Sequence, residues 1–100
     1  MKAIYKAPGK MPELVDIPNT LDALQEIVGG RIESLTYSND AAVICNQDGA
    51  GLEYNTHFLG ADFYGPIILV GVSGDEMIDF PAKNISICFY ALRVLGENAE

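Results

Sequence analysis

The sequence predicts an α+β domain: a mostly antiparallel sheet of about five to six strands, with a short helix near residues 20–28 and a C-terminal helix near 83–95. Three observations carry this. Short β-rich runs are separated by Gly, Pro, Asn and Asp. One run, Ile67 to Val72, is apolar on both faces, as expected of a central covered strand. Two stretches instead carry apolar residues at helical spacing. At 100 residues, 49% of them hydrophobic and 20% charged, the chain reads as a single globular domain over 1–100.

In chain order, Met1 to Lys6 reads as a first strand, with Ile4 and Tyr5 supplying β propensity and the lysines marking an edge. Pro8-Gly9 is a turn, and Glu13 to Ile17 a second strand antiparallel to the first. Pro18-Asn19-Thr20 is a helix start, because Pro leaves the ladder and Asn or Thr caps exposed N–H groups. Leu21, Leu24, Ile27 and Val28 then form one apolar stripe, and Gly29 suits the left-handed position that ends a helix. Arg31 to Tyr37 and Ala41 to Asn46 are strands joined by the turn formers Ser38-Asn39-Asp40.

Asp48-Gly49 is a hairpin-turn pair within the loop 46–51. As a calcium loop this stretch fails, since Ala50 and His57 stand where oxygen ligands are needed. Leu52 to Asp62 shows no clear period and reads as an irregular polar and aromatic segment. Beyond the central strand, Ser73 to Glu76 is a turn, and Met77 to Phe80 a short strand. The last element fits a helix stripe through Ile85, Cys88, Phe89, Leu92 and Leu95. It also fits strand alternation through Ile85, Ile87, Phe89 and Ala91. Length and the Gly96 stop favour the helix.

The formal net charge is −8, from 14 acidic and 6 basic residues. Between Arg31 and Lys83 lie eight acids and no Lys or Arg. Direct nucleic-acid binding is not expected, because it needs clustered cations. An acidic balance suits solubility or a basic protein partner. Cys45 and Cys88 belong to no metal-binding pattern and read as buried thiols of a cytoplasmic protein. No signal peptide is expected from Lys2-Ala3-Ile4-Tyr5-Lys6, and no run is long enough to span a bilayer, so no membrane partner is expected. A chain of this size buries only about two-thirds of its unfolded surface, so a homo-oligomer is a natural partner.

The segments Val15 to Leu35 (VDIPNTLDALQEIVGGRIESL) and Ala41 to Gly49 (AAVICNQDG) resemble a family of small proteins known only as a domain of unknown function. Its members are common in phages and conjugative elements of Gram-positive gut bacteria. The resemblance takes in the Pro8-Gly9-Lys10 turn and the Gly65 to Gly71 strand, covers most of 1–72, and fades from Met77 on. Family members follow the Cys-Asn-x-x-Gly turn with Leu-Pro-x-Asn-Arg. Here Tyr54-Asn55-Thr56-His57 stands in that region; Asn55 matches and the arginine does not. The resemblance implies a genomic setting and no chemistry.

Catalysis needs a base and a group for it to activate. His57 is the single histidine, Ser73 lacks the nucleophile-elbow spacing, and no Gly-Lys-Ser/Thr follows the glycines of 71–74. A metal-dependent hydrolase would have to join His57 to Asp62, Glu53 or Asp48. The ionisable side chains otherwise read as dispersed, so the expectation is a non-catalytic binding protein with no cofactor. In one form it captures a small nucleotide-like host defence signal. Tyr54, Asn55, His57, Phe63 and Tyr64 then supply stacking faces and hydrogen bonds, and Arg31 meets a phosphate. The N–H groups at Asn19-Thr20 are further donors, opposed by Asp22. In the other form it blocks a host protein through an acidic face or a β edge.

Overall fold

A computed structural model describes residues 1–98, with side chains to Leu92. Among the described residues are eight strands: β1 (Lys2–Lys6), β2 (Glu13–Asp16), β3 (Ile32–Ser38), β4 (Ala41–Asn46), β5 (Tyr54–Phe58), β6 (Ala61–Tyr64), β7 (Ile67–Ser73) and β8 (Glu76–Ile78). Helix α1 spans Leu21–Val28 and α2 spans Ile85–Asn98, and single 3₁₀ turns occupy Gly49–Gly51 and Ala82–Asn84. The main sheet runs β2-β1-β7-β4-β3, antiparallel throughout, with β8 beside the far end of β7. Strands β5 and β6 form a separate hairpin. The expected α+β class holds.

The centre is β7. Ile67 and Leu69 face one layer, Ile68 and Val70 the other, and all four are fully buried. On one side α1 lays Leu24 and Val28 onto Ala3, Ala42, Ile44 and Ile68. Burying each of those two helix side chains stabilises the fold by about 1.5–3 kcal/mol. The other layer is built from Phe58 and Phe63 of the hairpin with Cys88 and Leu92 of α2, over Ile4, Val43 and Leu69.

Helix α1 starts and stops as the sequence predicts. The Thr20 hydroxyl accepts the Ala23 N–H, and Gly29 sits at φ 84° in the left-handed region. Helix α2 settles the ambiguous last element. Cys88 and Leu92 are buried on one face and Ile87 is exposed, whereas strand alternation would turn Ile87 and Phe89 the same way. Gly71 marks a close approach: a Cβ there would meet the Asp79 carbonyl oxygen at 2.1 Å, which explains a glycine inside a central strand.

Three expectations need correction. Strand β1 lies between β2 and β7, so it is no edge, and Lys6 is 1% exposed. Asp48-Gly49 does not close a hairpin; it enters a 3₁₀ turn that carries the chain out of the main sheet to β5. The 52–62 segment is largely regular. A register shift between Tyr54 and Thr56 places an extra residue in β5, which buries Asn55 and Thr56 together and breaks the alternation locally.

Candidate functional site

The β5–β6 hairpin reverses at Leu59 and Gly60, both at positive φ (56° and 74°), as a two-residue hairpin turn requires. The register then pairs Tyr54 with Tyr64, Thr56 with Phe63 and His57 with Asp62. Thr56, Phe58 and Phe63 face inward and are buried. Phe58 stacks on Tyr37 with ring centroids 5.7 Å apart. The Thr56 hydroxyl is buried without a hydrogen-bond partner among the described residues.

The outward face gathers the polar and aromatic side chains. His57 Nδ1 is 2.9 Å from Asp62 Oδ1. A carboxylate only accepts, so Nδ1 carries the proton and Nε2 is left as an acceptor in the neutral ring. The Tyr54 hydroxyl donates to the same Asp62 oxygen at 3.4 Å. Its own proton is held more tightly than in free tyrosine, through desolvation first and then the Asp62 charge. The Tyr54 and Tyr64 rings meet edge to face, 5.5 Å apart at 74°. The expectation of unassisted ionisable groups is corrected here: the imidazole and a carboxylate are in direct contact. Both are half exposed, at 55% and 53%, so solvent screens the pair.

Beside this face is a cleft of about 190 Å³. Asp62, Phe63 and Tyr64 form one wall, Glu33, Leu35 and Cys45 another, and the turn at Asn46, Gly49 and Ala50 closes the end. Two carboxylates therefore address the same small space. The Cys45 thiol is pushed up by burial and by Glu33, which keeps it protonated at neutral pH. Arg31 sits by the closing turn: its guanidinium lies 3.3 Å from Asp48 Oδ2, with both side chains exposed. The Arg31 carbonyl also accepts the Gln47 N–H.

Of the five candidate residues, Tyr54, His57 and Tyr64 thus lie together, and Arg31 lies by the turn that closes the cleft. Asn55 is placed differently. It is buried, its Oδ1 accepts from Lys6 Nζ at 2.8 Å, and its Nδ2 donates to the carbonyls of Lys6 and Gly65, both at 2.8 Å. Both amide protons and one lone pair of the amide oxygen are used in clasping the hairpin to β1. The Lys6 ammonium has one further contact, 3.4 Å to the Ala7 carbonyl, and no carboxylate within 4 Å among the described residues. Burial lowers its pKa.

Sequence nearness already pairs Asp62 with His57, and the turn at 59–60 makes them direct cross-strand neighbours. Lys6, Glu33 and Cys45 carry no such signal, because they lie on β1, β3 and β4 of the main sheet and meet the hairpin side only through tertiary packing. No group of three or more His, Cys, Asp or Glu side chains placed to hold a metal occurs among the described residues. No described helix is long and apolar enough to cross a membrane. No curated protein and no solved structure matches the chain. The model of the domain of unknown function DUF3846 matches residues 1–92, and the chain belongs to that family.

Proposed function

We propose that the chain is a non-catalytic binding protein that captures one ring of a small nucleoside- or nucleotide-like molecule in the cleft beside the hairpin. The observation that carries the proposal is a cleft wall holding Asp62 and Tyr64, with His57 and Tyr54 bonded to Asp62 and Tyr54 packed on Tyr64 from the hairpin's outward face. A cleft of about 190 Å³ is below the usual range for whole drug-sized ligands, roughly 300–1,000 Å³. It suits a single ring, with the rest of the ligand outside. Tyr64 supplies an aromatic face. Glu33 and Asp62 accept hydrogen bonds, so they select ring N–H, amino or sugar hydroxyl donors. The same two charges oppose polyphosphates, and among the described residues Arg31 is the cation by the closing turn. Both partners of the His57–Asp62 pair are half exposed, so solvent screens their charges. In a phage or mobile element, such capture would remove a host defence signal.

Thermal melts with nucleosides, nucleoside monophosphates, cyclic dinucleotides and triphosphates test this. A ligand at ten times its Kd adds about 1.4 kcal/mol, raising the Tm by roughly 5–10 °C in a domain of this size. Triphosphates should shift it least. Tyr64→Ala and His57→Ala should abolish the shift. A panel without any shift, or shifts that survive both variants, refutes the proposal. A second reading rests on the two outer strands, β2 and β3, whose free edges carry the exposed acids Glu13, Asp16 and Glu33. Such edges suit a basic protein partner, and salt-sensitive co-purification of one without any small-molecule binding would favour that reading.

A further inference from the structure

The side-chain hydrogen-bonding groups around the hairpin cleft are one-sided. Asp62 lines one wall and Glu33 the other, and an ionised carboxylate only accepts. The two acids differ in what they already hold. Asp62 Oδ1 is engaged by His57 Nδ1 at 2.9 Å and by the Tyr54 hydroxyl at 3.4 Å. Glu33 makes no ion pair and no side-chain hydrogen bond among the described residues, so both of its oxygens are open. Register fixes its place: Glu33 is the direct cross-strand neighbour of Cys45, so the two side chains share one face of the sheet. The amide side chain on the lining, Asn46, is committed elsewhere. Its Nδ2 donates to the Val28 carbonyl at 3.1 Å, and its Oδ1 accepts the Asp48 N–H at 2.7 Å. The Cys45 thiol is a weak donor. A ring entering here meets a carboxylate with two free oxygens, between the apolar Leu35 and Phe63 and the aromatic Tyr64.

We propose that the base taken by this cleft is guanine, with Glu33 as the residue that reads it. The preference rests on the capture of a nucleoside ring proposed above and adds which base. Guanine carries two donors side by side on its six-membered ring, N1–H and the 2-amino group. Their spacing matches the two oxygens of one carboxylate, the same bidentate fit that a guanidinium makes. The other common bases lack this edge. Adenine and cytosine set a ring-nitrogen lone pair beside their amino group, and uracil and thymine set their single N–H between two carbonyls. A carboxylate repels those lone pairs, so Glu33 rejects as well as selects. The six-membered ring enters edge first, as a cleft of about 190 Å³ admits, and the imidazole ring and the sugar stay outside. Tyr64, on the wall facing Glu33, offers its ring to the base.

Calorimetric titration of the whole chain with guanosine, inosine, 1-methylguanosine and adenosine, up to millimolar concentration, tests the assignment. Inosine lacks the 2-amino group, and 1-methylguanosine lacks the N1 proton. Guanosine should bind at least about tenfold tighter than each of the other three, the loss expected when one hydrogen bond to a charged group is removed. Glu33→Gln turns one of the two acceptors into a donor. It should weaken guanosine by at least about tenfold and bring the guanosine-to-inosine ratio close to one. Its ligand-free melting should match wild type, because Glu33 is exposed. A merely structural role for Glu33 would leave that ratio unchanged. The guanine assignment is overturned if guanosine and inosine bind alike, if adenosine binds as tightly, or if the preference survives Glu33→Gln. Capture in the cleft then still stands where Tyr64→Ala abolishes the binding. If none of the four nucleosides binds, nucleoside capture fails and the assignment falls with it.

Discussion

Replacing Asn55 by alanine should unclasp the hairpin from the sheet. The substitution removes three hydrogen bonds at once: one from the Lys6 ammonium and two to the carbonyls of Lys6 and Gly65. Each buried acceptor left unpaired costs about 1–3 kcal/mol. The ammonium costs more, because it keeps only the 3.4 Å contact to Ala7 and remains enclosed. Allowing for relaxation and non-additivity, the loss is about 3–6 kcal/mol, a large share of the roughly 5–15 kcal/mol that holds a domain folded. Urea denaturation measures it. Hydrogen exchange locates it, since amides of β5 and β6 should exchange much faster while β7 and β4 keep their order of protection. A loss below about 1 kcal/mol, with hairpin exchange unchanged, would show that the amide is no clasp and refute the reasoning.

Two further substitutions probe the same framework. Lys6→Met removes a buried cation whose pKa lies below its ordinary value of 10.5. Between that depressed value and 10.5 the unfolded chain binds more protons than the folded one, so this group's contribution improves as pH rises. The wild-type stability minus that of Lys6→Met should therefore climb from pH 7 to pH 10. Taking the difference removes the opposite trend from Cys45 and Cys88, whose pKa values burial raises. A flat difference would mean that Lys6 is solvated. Gly71→Ala sets a Cβ against the Asp79 carbonyl, which belongs to the backbone and cannot rotate away. It should cost at least about 2 kcal/mol and loosen β8 from β7; a variant as stable as wild type in urea would contradict the close approach.

The layered fold was legible because its signals are local. Ile67–Val72 announces a strand covered on both sides, and Thr20 and Gly29 are the two caps that α1 uses. What the sequence hid depends on pairing across the chain. Lys6 looks like an edge lysine, because nothing near it shows that β7 will close its open side. The hairpin looks irregular because the extra residue in β5 puts Asn55 and Thr56 inward together. The site was partly legible: Tyr54, His57 and Tyr64 meet once Leu59-Gly60 is seen as the turn. Asn55 belongs to the same segment, yet its amide is turned to the sheet by the bulge. Glu33 enters only through the β3–β4 pairing opposite Cys45.

The central claim is that the hairpin wall and its cleft hold a small ring-bearing molecule. Amide NMR titration tests it most directly, using the best-shifting nucleoside or monophosphate from the melts. The account predicts saturable shifts at Glu33, Cys45, Asn46, Asp62, Phe63 and Tyr64, little change at Met11 and Ile87, and loss of saturation in Tyr64→Ala. Shifts centred on α2 or on α1, or an unchanged spectrum at millimolar ligand, would contradict it.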